Sequence, residues 1–170
     1  TEEYQPLKSN PAENRILEVF EREEEPGYDG IMEIIRSAGD VMLSDPFSPR
    51  NLNFLVYAYG AIGDTINEKI NFDRMNKILA VIESSGTGKS EKSPMHILSF
   101  SHANDFLVSK GLQVSKRTVV SRDVEYILLD KRDGPNRGYY FDYSRIFWNK
   151  PDQPAQPQKR RWKINDWPLD

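Results

Sequence analysis

Three stretches of the sequence carry side chains whose types and spacing suit binding chemistry. Ser115, Lys116, Arg117 and Thr118 put two hydroxyls and two cations on consecutive residues, with Arg122 close behind. At a helix N-terminus such a set offers backbone N–H donors, hydroxyls and positive charge to phosphates. An arginine there can also read a guanine edge through two parallel hydrogen bonds. Lys131, Arg132 and Arg137 flank Asp133-Gly134-Pro135-Asn136, a turn signal that places them at a hairpin tip, in reach of a nucleic-acid backbone or minor groove. Lys159, Arg160 and Arg161 surround Trp162 together with Lys163, beyond the proline-rich stretch Pro151–Pro157. The chemistry all three suggest is phosphate binding, to DNA rather than RNA, with strong salt dependence. The competing reading is a solvated surface, because Asp123, Glu125, Asp130 and Asp133 dilute the positive charge.

Other motifs carry less. Gly86-Thr87-Gly88-Lys89-Ser90 imitates the end of a phosphate-binding P-loop, but the first glycine of that motif would fall at Glu83 and the preceding pattern is helical. A mobile loop is the better reading. His96 and His102 lie six apart with Asp105 nearby, whereas metal ligands on one helix face are three or four apart, so no metal site is expected. The acidic run 21–25 reads as a solvated helix end. Trp148, Trp162 and Trp167 suit either base stacking or packing onto the domain. No nucleophile, base and orienting group come together in the sequence, so neither an enzyme nor a bound cofactor is expected.

The elements that must position these residues follow from composition and period. The chain has 170 residues, 23 Lys+Arg against 26 Asp+Glu, and no cysteine. That length suits one compact domain, or a small domain with a helical extension. Without cysteine there is no disulfide framework, cysteine-type zinc site or thiol nucleophile. No run approaches the ~18 apolar residues of a membrane span, so no membrane partner is expected. Thr1-Glu2-Glu3-Tyr4 is neither a basic nor an apolar leader; an intracellular location is expected, whether cytoplasm, nucleus or nucleoid. Residues 1–70 carry 14 acidic and 6 basic side chains, and residues 110–163 carry 6 and 13. Such asymmetry fits an anionic partner at the basic end, or attraction between the two halves.

Asn10-Pro11-Ala12-Glu13 reads as a helix start with a capping box, and Ile16, Leu17, Val19 and Phe20 form its apolar stripe. Ile31, Ile34, Ile35 and Ala38 mark a second helix that Gly39 is placed to stop. Residues 44–50, with two prolines, read as a loop. Helical patterns then run from Asn51 to Ile70, weakened at Gly60 and Gly63, from Phe72 to Glu83, and from Ser101 to Lys110, where Gly111 is placed to stop it. Leu112–Val120 has two readings. In the first, Ser115 caps a helix whose Val120, Val124 and Ile127 point inward while Lys116, Arg117, Ser121 and Arg122 are exposed. In the second it is a strand, in a meander with 124–130 and 139–148.

The helical reading resembles the winged helix-turn-helix DNA-binding regulators of the DeoR-like kind. Their recognition segment reads Val-Ser-x-(Arg/Lys)-Thr-(Ile/Val), then Arg-Asp-(Leu/Ile), then a wing ending in Gly-Tyr. The counterparts here are Val114–Val119, Arg122-Asp123-Val124 and Gly138-Tyr139-Tyr140, a match confined to residues 72–143. The resemblance implies a DNA-binding regulator of transcription that reads its site through a basic helix and hairpin. The expected fold class is α+β, in three parts. Residues 1–70 form a helical part that serves as a dimerisation or partner surface. Residues 71–150 form a winged-helix-like domain ending in a β-hairpin, and residues 151–170 are a proline-rich linker with a basic tail. The alternative is a non-enzymatic protein-interaction domain excised from a larger protein, a viral one among the candidates.

Overall fold

The structure, a computed structural model, describes residues 10–130 and 136–147. The chain is α+β, with helices first and most strands last. Helix α1 spans Pro11–Arg22, α2 Tyr28–Ser44, α3 Pro49–Ala61 and α4 Thr65–Ser84. A short strand β1, Met95–His96, precedes α5, Phe100–Ser109. Strands β2, Val114–Val119, β3, Val124–Leu129, and β4, Gly138–Asp142, follow, and a single 3-10 turn covers Ser144–Phe147.

Local chemistry explains the helix ends. Asn10 accepts the Ala12 N–H at 2.9 Å and Pro11 opens α1, where its missing N–H costs nothing. The reciprocal half of the expected capping box does not form, because Glu13 turns to Arg50 on α3 at 2.9 Å. Ser48 caps α3 by accepting the Asn51 N–H, with Pro49 at the first helical position. Asp64 caps α4 through the Asn67 N–H at 3.0 Å. Between these helices Gly63 takes φ +76°, a left-handed conformation that breaks the expected long helix there. Gly39 does not stop α2, which runs on to Ser44 because Val41 continues the buried face.

Two buried apolar clusters result. The first joins α1, α2 and α3 through Ile16, Val19, Ile31, Ile34 and Leu52. The second lies between the sheet and α5, through Phe106, Leu107, Ile127, Leu129 and Phe141. Ile78 of α4 packs against both, so this one helix, which contains the expected boundary between residues 70 and 71, carries the chain from one cluster to the other. His102, 1% exposed, adds a polar tie: its Nε2 lies 2.9 Å from the Asp45 carboxylate in the α2–α3 connection.

The sheet has the order β1-β4-β3-β2, with β1 parallel to β4 and the other pairs antiparallel. Of the two readings of Leu112–Val120 the strand is the one present: the helix over 115–127 does not form, and its residues make β2, a turn and β3, in a meander with β4. The physical reason lies in Val114, Thr118, Val119 and Val120, β-branched side chains that lose rotamer freedom in a helix and fit a pleated strand. In the strand pair Val124 and Ile127 fall on opposite faces instead of sharing an inward stripe.

Gly86–Ser90 does not have the setting of a P-loop. Helix α4 runs to Ser84 directly before it, and Gly88, buried at φ +65°, sits against Met95 and Tyr139. Where a mobile loop is expected the segment is tied down: Gly88 N–H donates to Ser93 O, and Tyr140 N–H donates to Gly88 O, both at 2.8 Å.

Candidate interaction surface

The sequence-derived binding residues do not come together in one place: those of β2 and its turn lie at one edge of the sheet, and Arg137 lies beside Leu129 at the far end of β3 from that turn. Ser115, Lys116, Arg117 and Thr118 lie along β2, and Arg122 is in the β2–β3 turn. Arg137 is exposed just ahead of β4. Lys131, Arg132, Lys159, Arg160 and Arg161 fall outside the described residues, as do Trp148, Trp162 and Trp167.

Strand alternation separates the two adjacent cations. Arg117 shares the face of Ile127 and turns to Glu125, with Nη2 2.6 Å from Oε1 and Nε 3.2 Å from Oε2. A further donor reaches the Phe100 carbonyl at the start of α5 at 3.3 Å. The Glu125 side chain is only 8% exposed, so this arginine is held as the counter-charge of a buried carboxylate. Lys116 points to the opposite face, alongside Thr118. Among the described residues Lys116, Arg122 and Arg137 make no ion pair.

The opposite face has features that sequence reasoning did not single out. Tyr126 of β3 and Tyr140 of β4 are register partners, with ring centroids 4.7 Å apart and planes tilted by 46°. The Tyr126 ring lies close over Gly138, where a Cβ would meet it at 2.7 Å. Both tyrosines are half-buried and belong to neither apolar cluster. The signal was available: a hairpin joining 124–130 to 139–148 sets these two aromatics across from each other.

The free edge of β2 is the most distinctive part of the surface. From Ser115 to Val119 every residue is exposed, and among the described residues β2 pairs with β3 on one side only. The Val120 N–H donates to Val124 O at 3.0 Å. Antiparallel alternation then turns the backbone groups of Lys116 and Thr118 toward β3 and those of Arg117 and Val119 outward. An irregularity between Val114 and Lys116 ends this regular stretch. Among the described residues the outward edge is thus a short row of donors and acceptors with no backbone partner, with Lys116 and Arg122 beside it and Val119 67% exposed.

Among the described residues no helix is long and apolar enough to cross a membrane. A family model described as "Domain of unknown function (DUF4919)" matches residues 1–151. No curated protein and no solved structure matches.

Proposed function

For a chain that belongs to the DUF4919 family, we propose the function of a non-enzymatic interaction domain that takes up an extended, acidic segment of a partner protein by adding it as a fifth strand beside β2. The observation that carries this reading is the edge of β2 that no other strand among the described residues covers, whose Arg117 and Val119 backbone groups face away from the sheet. Main-chain hydrogen bonds would supply affinity, and alternate side chains specificity. Lys116 and Arg122 favour a carboxylate-bearing partner, since neither is neutralised by a neighbour among the described residues.

The test is a binding titration with an extended peptide of alternating glutamate and valine, against the parent chain and Val119→Pro. Proline at an outward-facing position removes an edge donor while leaving the ladder to β3 intact. The expected result is saturable binding that the variant weakens at least tenfold, roughly the worth of one or two main-chain hydrogen bonds. Equal binding by the variant contradicts the reading.

A second reading keeps the nucleic-acid partner but moves it to the sheet face. It is favoured by Tyr126 and Tyr140, which offer adjacent half-exposed rings with Lys116 on the neighbouring strand. Such a face suits stacking of unpaired bases, worth roughly 1–3 kcal/mol per base. Titration with labelled single-stranded DNA and RNA separates the two: here Tyr140→Ala lowers affinity, whereas Val119→Pro has little effect.

A further inference from the structure

A cleft of about 850 Å³ opens where α3, α4 and α5 meet, away from β2 and independent of the strand-edge reading. Its size falls within the roughly 300–1,000 Å³ of small-molecule sites. One stripe of α4 faces it, with Phe72, Met75, Asn76, Leu79 and Glu83 at spacings of three and four. The first turn of α3 and the outer side of α5 form the other walls.

The charged groups of the cleft are already committed to each other. Arg50 donates from Nε and Nη2 to Asp105 Oδ1 at 3.1 and 3.0 Å, and from Nη1 to Glu13 Oε1 at 2.9 Å. The Asp105 side chain is 3% exposed, and burial raises its carboxyl above the usual range against the pull of Arg50. Across the cleft Lys110 Nζ meets Glu83 Oε2 at 2.9 Å. A charged ligand would have to break one of these pairs to find an opposite charge.

What remains free is neutral. Asn53, Asn76 and Asn104 bring one carboxamide from each helix, and none of the three is hydrogen-bonded to another group among the described residues. Each carboxamide presents two donors and two acceptor sites, which matches hydroxyl groups that both give and accept hydrogen bonds. Phe72, 48% exposed, supplies an apolar surface for the C–H face of a sugar ring, and Val108 adds to it from α5.

We propose that this cleft binds a neutral carbohydrate of one or two sugar rings. The three carboxamides hold the hydroxyls, and Phe72 lies against a ring face. The paired charges keep sugar acids and amino sugars at a disadvantage.

The experiment is an NMR titration of the full chain with maltose, cellobiose and diacetylchitobiose, with glucuronate and glucosamine as charged counterparts. The readout is the side-chain amide resonances of Asn53, Asn76 and Asn104. At least one neutral disaccharide should shift all three. Asn76→Ala and Phe72→Ala, both at exposed positions and tolerated by the fold, should each weaken that binding about tenfold. The proposal is overturned if no neutral sugar shifts these resonances at millimolar concentration. It is overturned equally if both variants bind as the parent does, or if the charged sugars bind as tightly as the neutral ones.

Discussion

Strands β2 and β3 are each six residues long and hydrogen-bonded to one another, yet they serve opposite ends. Strand β3 is paired on both sides and buries Val124, Glu125, Ile127 and Leu129. Among the described residues strand β2 is paired on one side, and it buries no residue. The strand that builds the fold and the strand that is open to a partner thus lie side by side, joined by their backbone ladder and by the pair of Arg117 with the buried Glu125. Exposure of β2 does not come from a lack of β-forming side chains. It comes from its place at the end of the order β1-β4-β3-β2, and Lys116 on that edge is the kind of charge that discourages unselective pairing.

The contrast predicts a steep gradient of mutational cost. The largest effect belongs to Ile127→Asp on β3, which is fully buried against Leu107 and Phe141 in the sheet cluster. An unpaired charge there should cost at least about 4 kcal/mol, enough to abolish a cooperative thermal transition near room temperature. A variant that melts like the parent would show that the two strands do not differ as described.

Next is Arg117→Ala, which sits on β2 but answers to β3. It strips the counter-charge from Glu125, 8% exposed, and should cost roughly 1–3 kcal/mol in denaturant unfolding. The double variant with Glu125→Ala should recover part of that loss, since no buried carboxylate is then left unpaired. Failure of the second change to recover anything would remove the charge pair as the link between the strands.

The smallest effect on stability belongs to Lys116→Ala, whose side chain meets no carboxylate among the described residues. It should stay within about 0.5 kcal/mol of the parent. The same change should nonetheless weaken binding of the acidic peptide several-fold, more at low salt than at high. A large loss of stability with unchanged binding would reverse the assigned roles of the two strands.

The helical part of the fold was legible because its signals are local. Asn10 and Pro11, and the spacing of Ile31, Ile34 and Ala38, act within one or two turns, and the elements they mark are present, whereas Ser48 and Pro49, read as part of a loop over 44–50, cap and open α3. Residues 112–121 were not legible in that way. Their cations suit a helix N-terminus, and only the β-branched run 118–120 argues for a strand. The deciding interactions are the ladder to β3 and the pairing of Arg117 with Glu125, eight residues on and in another element. For the same reason Lys116 and Arg117, read as neighbours on one binding face, end on opposite sides of the sheet. The cleft between α3, α4 and α5 carries no sequence signature, because Asn53, Asn76 and Asn104 come together only once three helices have packed.

Amide hydrogen exchange along β2, with and without the peptide of alternating glutamate and valine, tests the strand-edge account most directly. In the free chain the amides of Lys116 and Thr118 should be protected by β3, while those of Arg117 and Val119 exchange as open amides. Saturating peptide should slow Arg117 and Val119 at least tenfold and leave the other two nearly unchanged. Protection of Arg117 and Val119 already in the free chain, or no slowing of either amide at saturating peptide, would contradict the account.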